Sequence, residues 1–143
     1  IDDPHVRRAC EHLPPLSTQG HLLRRVESET LILTGGSEAA VAWAIYQLAE
    51  TYGVRFLLHE DVLPSDPGPF HLPAIDRVFE PVQRIRSWRQ FNDLAHGPVL
   101  WSLDQQRTFI DQIFKLKFNA ARLGYAASCP VVSYKVKGIP SVS

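Results

Sequence analysis

Methionine is absent from this chain, cysteine occurs twice, and positive and negative charge cancel, with 15 lysines and arginines against 15 aspartates and glutamates. Each scarcity excludes something. Two cysteines, Cys10 and Cys129 near opposite ends, are too few for a disulfide framework, so free thiols are expected. A balanced charge gives no electrostatic case for a nucleic-acid or anionic-membrane partner. No apolar run approaches the roughly 20 residues that a membrane helix needs, so no membrane span is expected. The six histidines are scattered, and none forms a pair at helical or finger spacing. No zinc site is therefore expected, and no metal or other cofactor. No signal-peptide pattern opens the chain. A chain that starts at Ile1 without any methionine is expected to be processed, or a piece of something longer.

What is present suits an ordinary globular protein. The apolar fraction is 45% and the charged fraction 21%, and 143 residues suffice for a core. The most organised stretch runs from Thr30 to His59. Thr30–Thr34 is short, apolar and rich in β-branched residues, which suits a buried strand. Gly35-Gly36 breaks it, and Ser37 stands where a helix N-cap is wanted. Val41, Ile45, Leu48 and Tyr52 then recur at steps of three and four, with Ala40, Ala44 and Ala49 beside them, as on one helical face. Gly53 is the helix stop, and Val54–Leu58 the next strand. Strand, helix and strand of this size predict a βαβ unit.

Either side of it the signals are weaker. Val6–Leu13 suits a short helix ended by Pro14-Pro15. His21–Glu27 suits a strand that turns at Glu27–Glu29 and pairs antiparallel with Thr30–Thr34. Glu60–Pro73 holds four prolines and reads as an ordered surface loop, with Phe70–Leu72 a candidate edge strand in it. Ala74–Phe79 is a further extended segment, and Val82–Phe91 a further strand. Ser102 and Gln105 fit a capping box, opening a helix whose apolar face is Ile110, Ile113, Phe114 and Lys117, widened by Phe109 and Leu116. Ala120–Tyr125 suits a strand, and the tail from Ala126 shows no partner.

Two stretches together carry a resemblance. The first is Gly35-Gly36-Ser37 with Ala42–Leu48 and Gly53–Leu57. It resembles the small α/β domain that precedes the catalytic barrel in glycoside hydrolases such as the β-N-acetylhexosaminidases and α-glucuronidases, although Ala44 replaces the usual helix glycine. The second is Pro81–Ser87 with Phe109–Asp111 and Lys115–Asn119. It is similar to the opening of a hexosaminidase-type (β/α)8 barrel, in which the first strand carries an arginine five residues after a proline, as Arg86 follows Pro81. Ser87 replaces the glycine of that pattern, and Phe91 stands where an aspartate is usual, with Asp93 nearby.

The fold class expected is α/β, with α+β as the alternative. A small two-layer sandwich containing the βαβ unit would occupy residues 1–80, and the first βα unit of a truncated (β/α)8 barrel residues 81–143. The resemblance implies the non-catalytic N-terminal portion of an enzyme that hydrolyses glycosidic bonds, with carbohydrate as partner and a secreted or periplasmic location. Such catalysis needs two carboxyl groups, or one plus a substrate acetamido group, set on loops after later strands. No catalytic residue is therefore expected here. The residues expected to touch sugar are Arg86, Arg89, Asn92, Asp93 and Trp101, at the end of the first barrel strand and in the loop after it. An incomplete barrel would also leave an apolar flank on the 104–118 helix, hence self-association.

Several features have plainer explanations. His96 suits a turn. Glu60-Asp61 are adjacent on an extended chain and point apart, which suits solvation better than a catalytic pair. Gly35-Gly36 before a helix could cradle a phosphate. Without a G-x-G-x-x-G run or a Walker lysine, a tight turn fits better. Trp43 and Tyr46 suit packing against a neighbouring domain. The rival to the enzyme portion is a self-contained α/β sugar-binding or interaction module without activity.

Overall fold

A computed structural model describes Pro4, Arg7, Cys10 and residues 11–89, 101–122 and 135–140. The chain is α/β and divides into two compact units, Ile1–Arg84 and Ile85–Ser143. Pro4, Arg7 and Cys10 have helical backbone, and the chain turns ahead of Pro14.

The first unit is built on strands β1 (His21–Glu27), β2 (Thr30–Gly35) and β5 (Asp76–Phe79), helix α1 (Glu38–Thr51), and a hairpin of β3 (Arg55–Phe56) and β4 (Asp61–Val62). β1 is the central strand of an antiparallel sheet of order β2-β1-β5. The expected pairing with β2 is present, closed by a two-residue turn at Ser28–Glu29 and carrying a bulge between Arg25 and Glu27. Being central, β1 buries both faces: His21, Leu22 and Leu23 are all inaccessible. Burial of side chains such as Leu22 and Leu23 contributes about 1.5–3 kcal/mol each.

α1 lies against β1 and β2. It starts as expected, with the Ser37 hydroxyl accepting from the Ala40 N–H at 3.2 Å. It stops as expected at Gly53, whose φ of +91° is the left-handed conformation glycine adopts without strain. Gly53 N–H donates to Glu50 C=O and Val54 N–H to Ala49 C=O, which together make a Schellman closure. The buried face is Ala40, Trp43 and Ala44, while Ile45 is 55% exposed. The helix is apolar nearly all round, so its sequence supports more than one stripe. The small alanines won because the sheet approaches closely there.

The βαβ unit expected over Thr30–His59 is not formed. β2 and β3 belong to different sheets, and β3 pairs antiparallel with β4 instead. Phe56 finds Asp61 across a short loop, and closing a short loop costs less chain entropy than a crossover. Within the proline-rich stretch, Asp61–Val62 forms a strand, but Phe70–Leu72 does not. The 74–79 segment does yield a strand, β5, on the free edge of β1.

The second unit contains β6 (Ser87–Arg89), α2 (Leu103–Lys115), β7 (Ala120–Arg122) and a hairpin of β8 (Lys135–Val136) and β9 (Ile139–Pro140). β6 and β7 are parallel, with Ser87, Trp88 and Arg89 opposite Ala120, Ala121 and Arg122. The true strand-helix-strand crossover is thus the second one in the chain. β6 is shorter than expected at its start. Val82 is 98% and Ile85 68% exposed, so residues 82–85 have nothing to bury, and Gln90–Phe91 lie outside the described residues. The capping box at Ser102 and Gln105 is present in both halves. α2 buries Phe109, Gln112 and Ile113, a face turned from the one the spacing suggested; Ile110 is 40% exposed. The tail finds a partner in itself: Lys137 and Gly138 both have positive φ, which shapes a tight hairpin turn.

Candidate functional site

In a parallel crossover, the C-terminal ends of both strands and the N-terminus of the helix lie at one end of the unit. That end is where such units gather ligand-binding residues. Here it collects Arg89 from β6, Trp101 before α2 and Arg122 from β7.

The faces follow from the pleat. Trp88 packs edge-to-face on Phe109 of α2 and on Phe118, with ring centroids at 6.0 and 5.7 Å. Trp88 therefore faces the helix, and its neighbours Ser87 and Arg89 point the other way. Ala121 is opposite Trp88, which puts Arg122 on the same face as Arg89. Both arginines are exposed. Trp101 meets Phe109 at 5.5 Å, also edge-to-face, and keeps 38% of its surface open.

Arg86 serves the fold. Its Nε donates to Lys117 C=O at 2.7 Å, and its backbone N–H to Asn119 Oδ1 at 2.8 Å. Its own C=O accepts from the N–H groups of Asn119 and Ala120. These bonds pin the entry of β6 to the chain leaving α2. Partial burial lowers the Arg86 pKa from its ordinary value by desolvation, yet a guanidinium stays charged in proteins. Of the five residues expected to touch sugar, then, Arg89 and Trp101 stand at the end of the unit where the strands finish and α2 begins, and Arg86 is tied into the loop after α2. Asn92 and Asp93, like His96 and Cys129, lie outside the described residues. Arg122 was missed by sequence reasoning. The available signal was an arginine near the end of the second strand, but only strand register places it beside Arg89.

The remaining candidates have structural explanations. A side chain at Gly35 would run into Ala40 and Val41, and one at Gly36 into the Ser17 carbonyl, so both glycines serve close approach. Ser37 caps α1 and donates to Thr18 C=O at 2.6 Å. Glu60 pairs with His59 at the surface, at 3.3 Å. Tyr46 meets Phe56 edge-on, and Trp43 is 2% exposed. A shallow depression of about 370 Å3 lies beside Arg25, Glu27, Ile75 and Asp76. Two of its polar side chains are engaged: Arg25 donates to the carbonyls of Glu27, Ser28 and Leu72, and Asp76 holds Arg24 at 2.9 Å. Among the described residues no cluster could hold a metal ion, no helix is long and apolar enough to cross a membrane, and Cys10 is a free thiol.

Compared with models of protein families, with curated proteins and with solved structures, the chain has no match.

Proposed function

We propose that this chain is the N-terminal, non-catalytic portion of a carbohydrate-active enzyme whose whole form hydrolyses glycosidic bonds. The first unit would be a small α/β accessory domain, and the second would be the opening of a (β/α)8 barrel. One observation carries the reading. β6 and β7 are parallel neighbours joined through α2, as the first two strands of such a barrel are, and they follow a separate α/β unit. Trp101, half-open at the C-terminal end of β6, is the surface on which a sugar ring would stack.

Reading the gene downstream of Ser143 tests the larger claim. Several hundred further codons, with a carboxylate pair after later strand-helix units, are expected. A stop codon at that point sinks the proposal and favours the self-contained module. The local claim is tested by titrating the chain with neutral oligosaccharides. Saturable tryptophan quenching, lost in Trp101→Ala, is expected; no quenching removes Trp101 from the site.

A further inference from the structure

The sheet of the first unit has two outer strands, and they are guarded differently. β5 is short, carries Asp76 and Arg77, and is followed closely by Pro81. Brevity, charge and proline are what keep a sheet edge from pairing with another chain. β2 has no such guard, because Thr30–Gly35 contains neither a charge nor a proline. Among the described residues its outer edge makes no backbone hydrogen bond. The groups on that edge follow from the register. The Arg25 N–H donates to Ile75 C=O at 2.7 Å, on the β5 side. Leu31 lies opposite Arg25, so Leu31, and Leu33 two places on, turn their backbone N–H and C=O outward.

The strand is also its own complement, since Thr30-Leu31-Ile32-Leu33-Thr34 reads the same in both directions. We infer that β2 is a dimerisation edge, which pairs antiparallel with β2 of a second copy of this chain about a two-fold axis at Ile32. A two-fold contact must be self-complementary, and this register makes it so. Leu31 meets Leu33 of the second copy as a hydrogen-bonded pair, Ile32 meets Ile32, and Thr30 meets Thr34, all matched cross-strand pairs. No like charges face each other. Glu29 falls opposite Gly35 of the second copy, just ahead of the Ser37 cap of α1, where the positive end of the helix favours a carboxylate. The dimer needs only this edge and its register, and does not rest on the glycosidase reading.

The test follows the intact chain by sedimentation velocity across a concentration series, together with amide hydrogen exchange. A dimer is expected, and with it slowed exchange at Leu31 and Leu33 as concentration rises. Ile32 and Thr34, whose N–H groups face β1, should exchange slowly throughout. Thr30→Lys with Thr34→Lys sets like charges against each other on both sides of the axis and should weaken the dimer about tenfold. Thr30→Lys with Thr34→Glu sets opposite charges there instead and should restore it. Both threonines lie on the face turned from α1. A side chain at Gly35, on the other face with Leu31 and Leu33, would meet Ala40 and Val41. Circular dichroism reports whether each variant keeps its fold; if one does not, exchange in the parent chain decides. A monomer at every concentration overturns the proposal. So does protection of Leu31 and Leu33 that is independent of concentration, because a segment of the same chain would then cover the edge. A dimer indifferent to both double variants overturns it too, since another surface would hold the copies together. Association through Leu103 and Ile110 leaves the Leu31 and Leu33 amides fast, so it is read apart from this one.

Discussion

Arg86 and Lys117 lie 31 positions apart in the sequence and meet through a 2.7 Å hydrogen bond. An arginine beside a barrel-like motif suggests a ligand; its geometry assigns it to the fold. Arg86→Ala should therefore lower stability by about 1–3 kcal/mol, read as a fall in urea midpoint, because Lys117 C=O loses its charged donor. A change in saccharide binding with stability intact would contradict that assignment. Lys117 itself has a φ of 68°, at the position where a helix closure favours glycine. Its N–H donates to Phe114 C=O and the Phe118 N–H to Ile113 C=O, so the closure is the one α1 makes with Gly53. Lys117→Gly should raise stability by up to about 1 kcal/mol, measured by urea unfolding, since it relieves a left-handed side-chain residue. Gly36 is the opposite case. Gly36→Ala drives a methyl into the Ser17 carbonyl and should cost about 1–3 kcal/mol, visible in the same experiment.

Elements were legible where their ends carry chemistry. Both helices began where a serine could cap them, at Ser37 and Ser102. Ser102→Ala should cost about 1 kcal/mol and fray the first turn of α2, seen as lost amide protection there. Helix faces were less legible. α1 offers apolar residues on several sides, and α2 buries Gln112 between Phe109 and Ile113 while Ile110 stays partly open. Periodicity ranks stripes by hydrophobicity, whereas the sheet selects by shape and approach. The strand at 82–86 failed for the same kind of reason. Its backbone is taken elsewhere, with Arg84 C=O accepting from the Gln19 side chain and Arg86 C=O from the chain after α2.

Among the described residues, the two units differ in how much they bury. Most buried apolar residues described belong to the first unit, with Phe109 and Ile113 in the second. Exposed apolar side chains occur in both, including Leu63 and Phe70 in the first and Leu103 and Ile110 in the second. Concentration-dependent association is expected in sedimentation velocity, and Leu103→Ser with Ile110→Ser should reduce it. An unchanged monomer across the concentration series would show that these side chains are tolerated singly.

The sequence by itself determined the local events: the caps at Ser37 and Ser102, the stop at Gly53, the hairpin of β1 and β2, and the α/β class. Each depends on residues within a few positions of one another, whose backbone preferences act before any distant contact forms. Only the tertiary structure decided that β3 would pair with β4 rather than β2, that the parallel crossover would fall in the second unit, and that Arg122 would stand beside Arg89 while Arg86 turned to Lys117. Strand partnership is a competition among edges far apart in the chain. A single sequence states each edge's apolar content but not which edge arrives beside which.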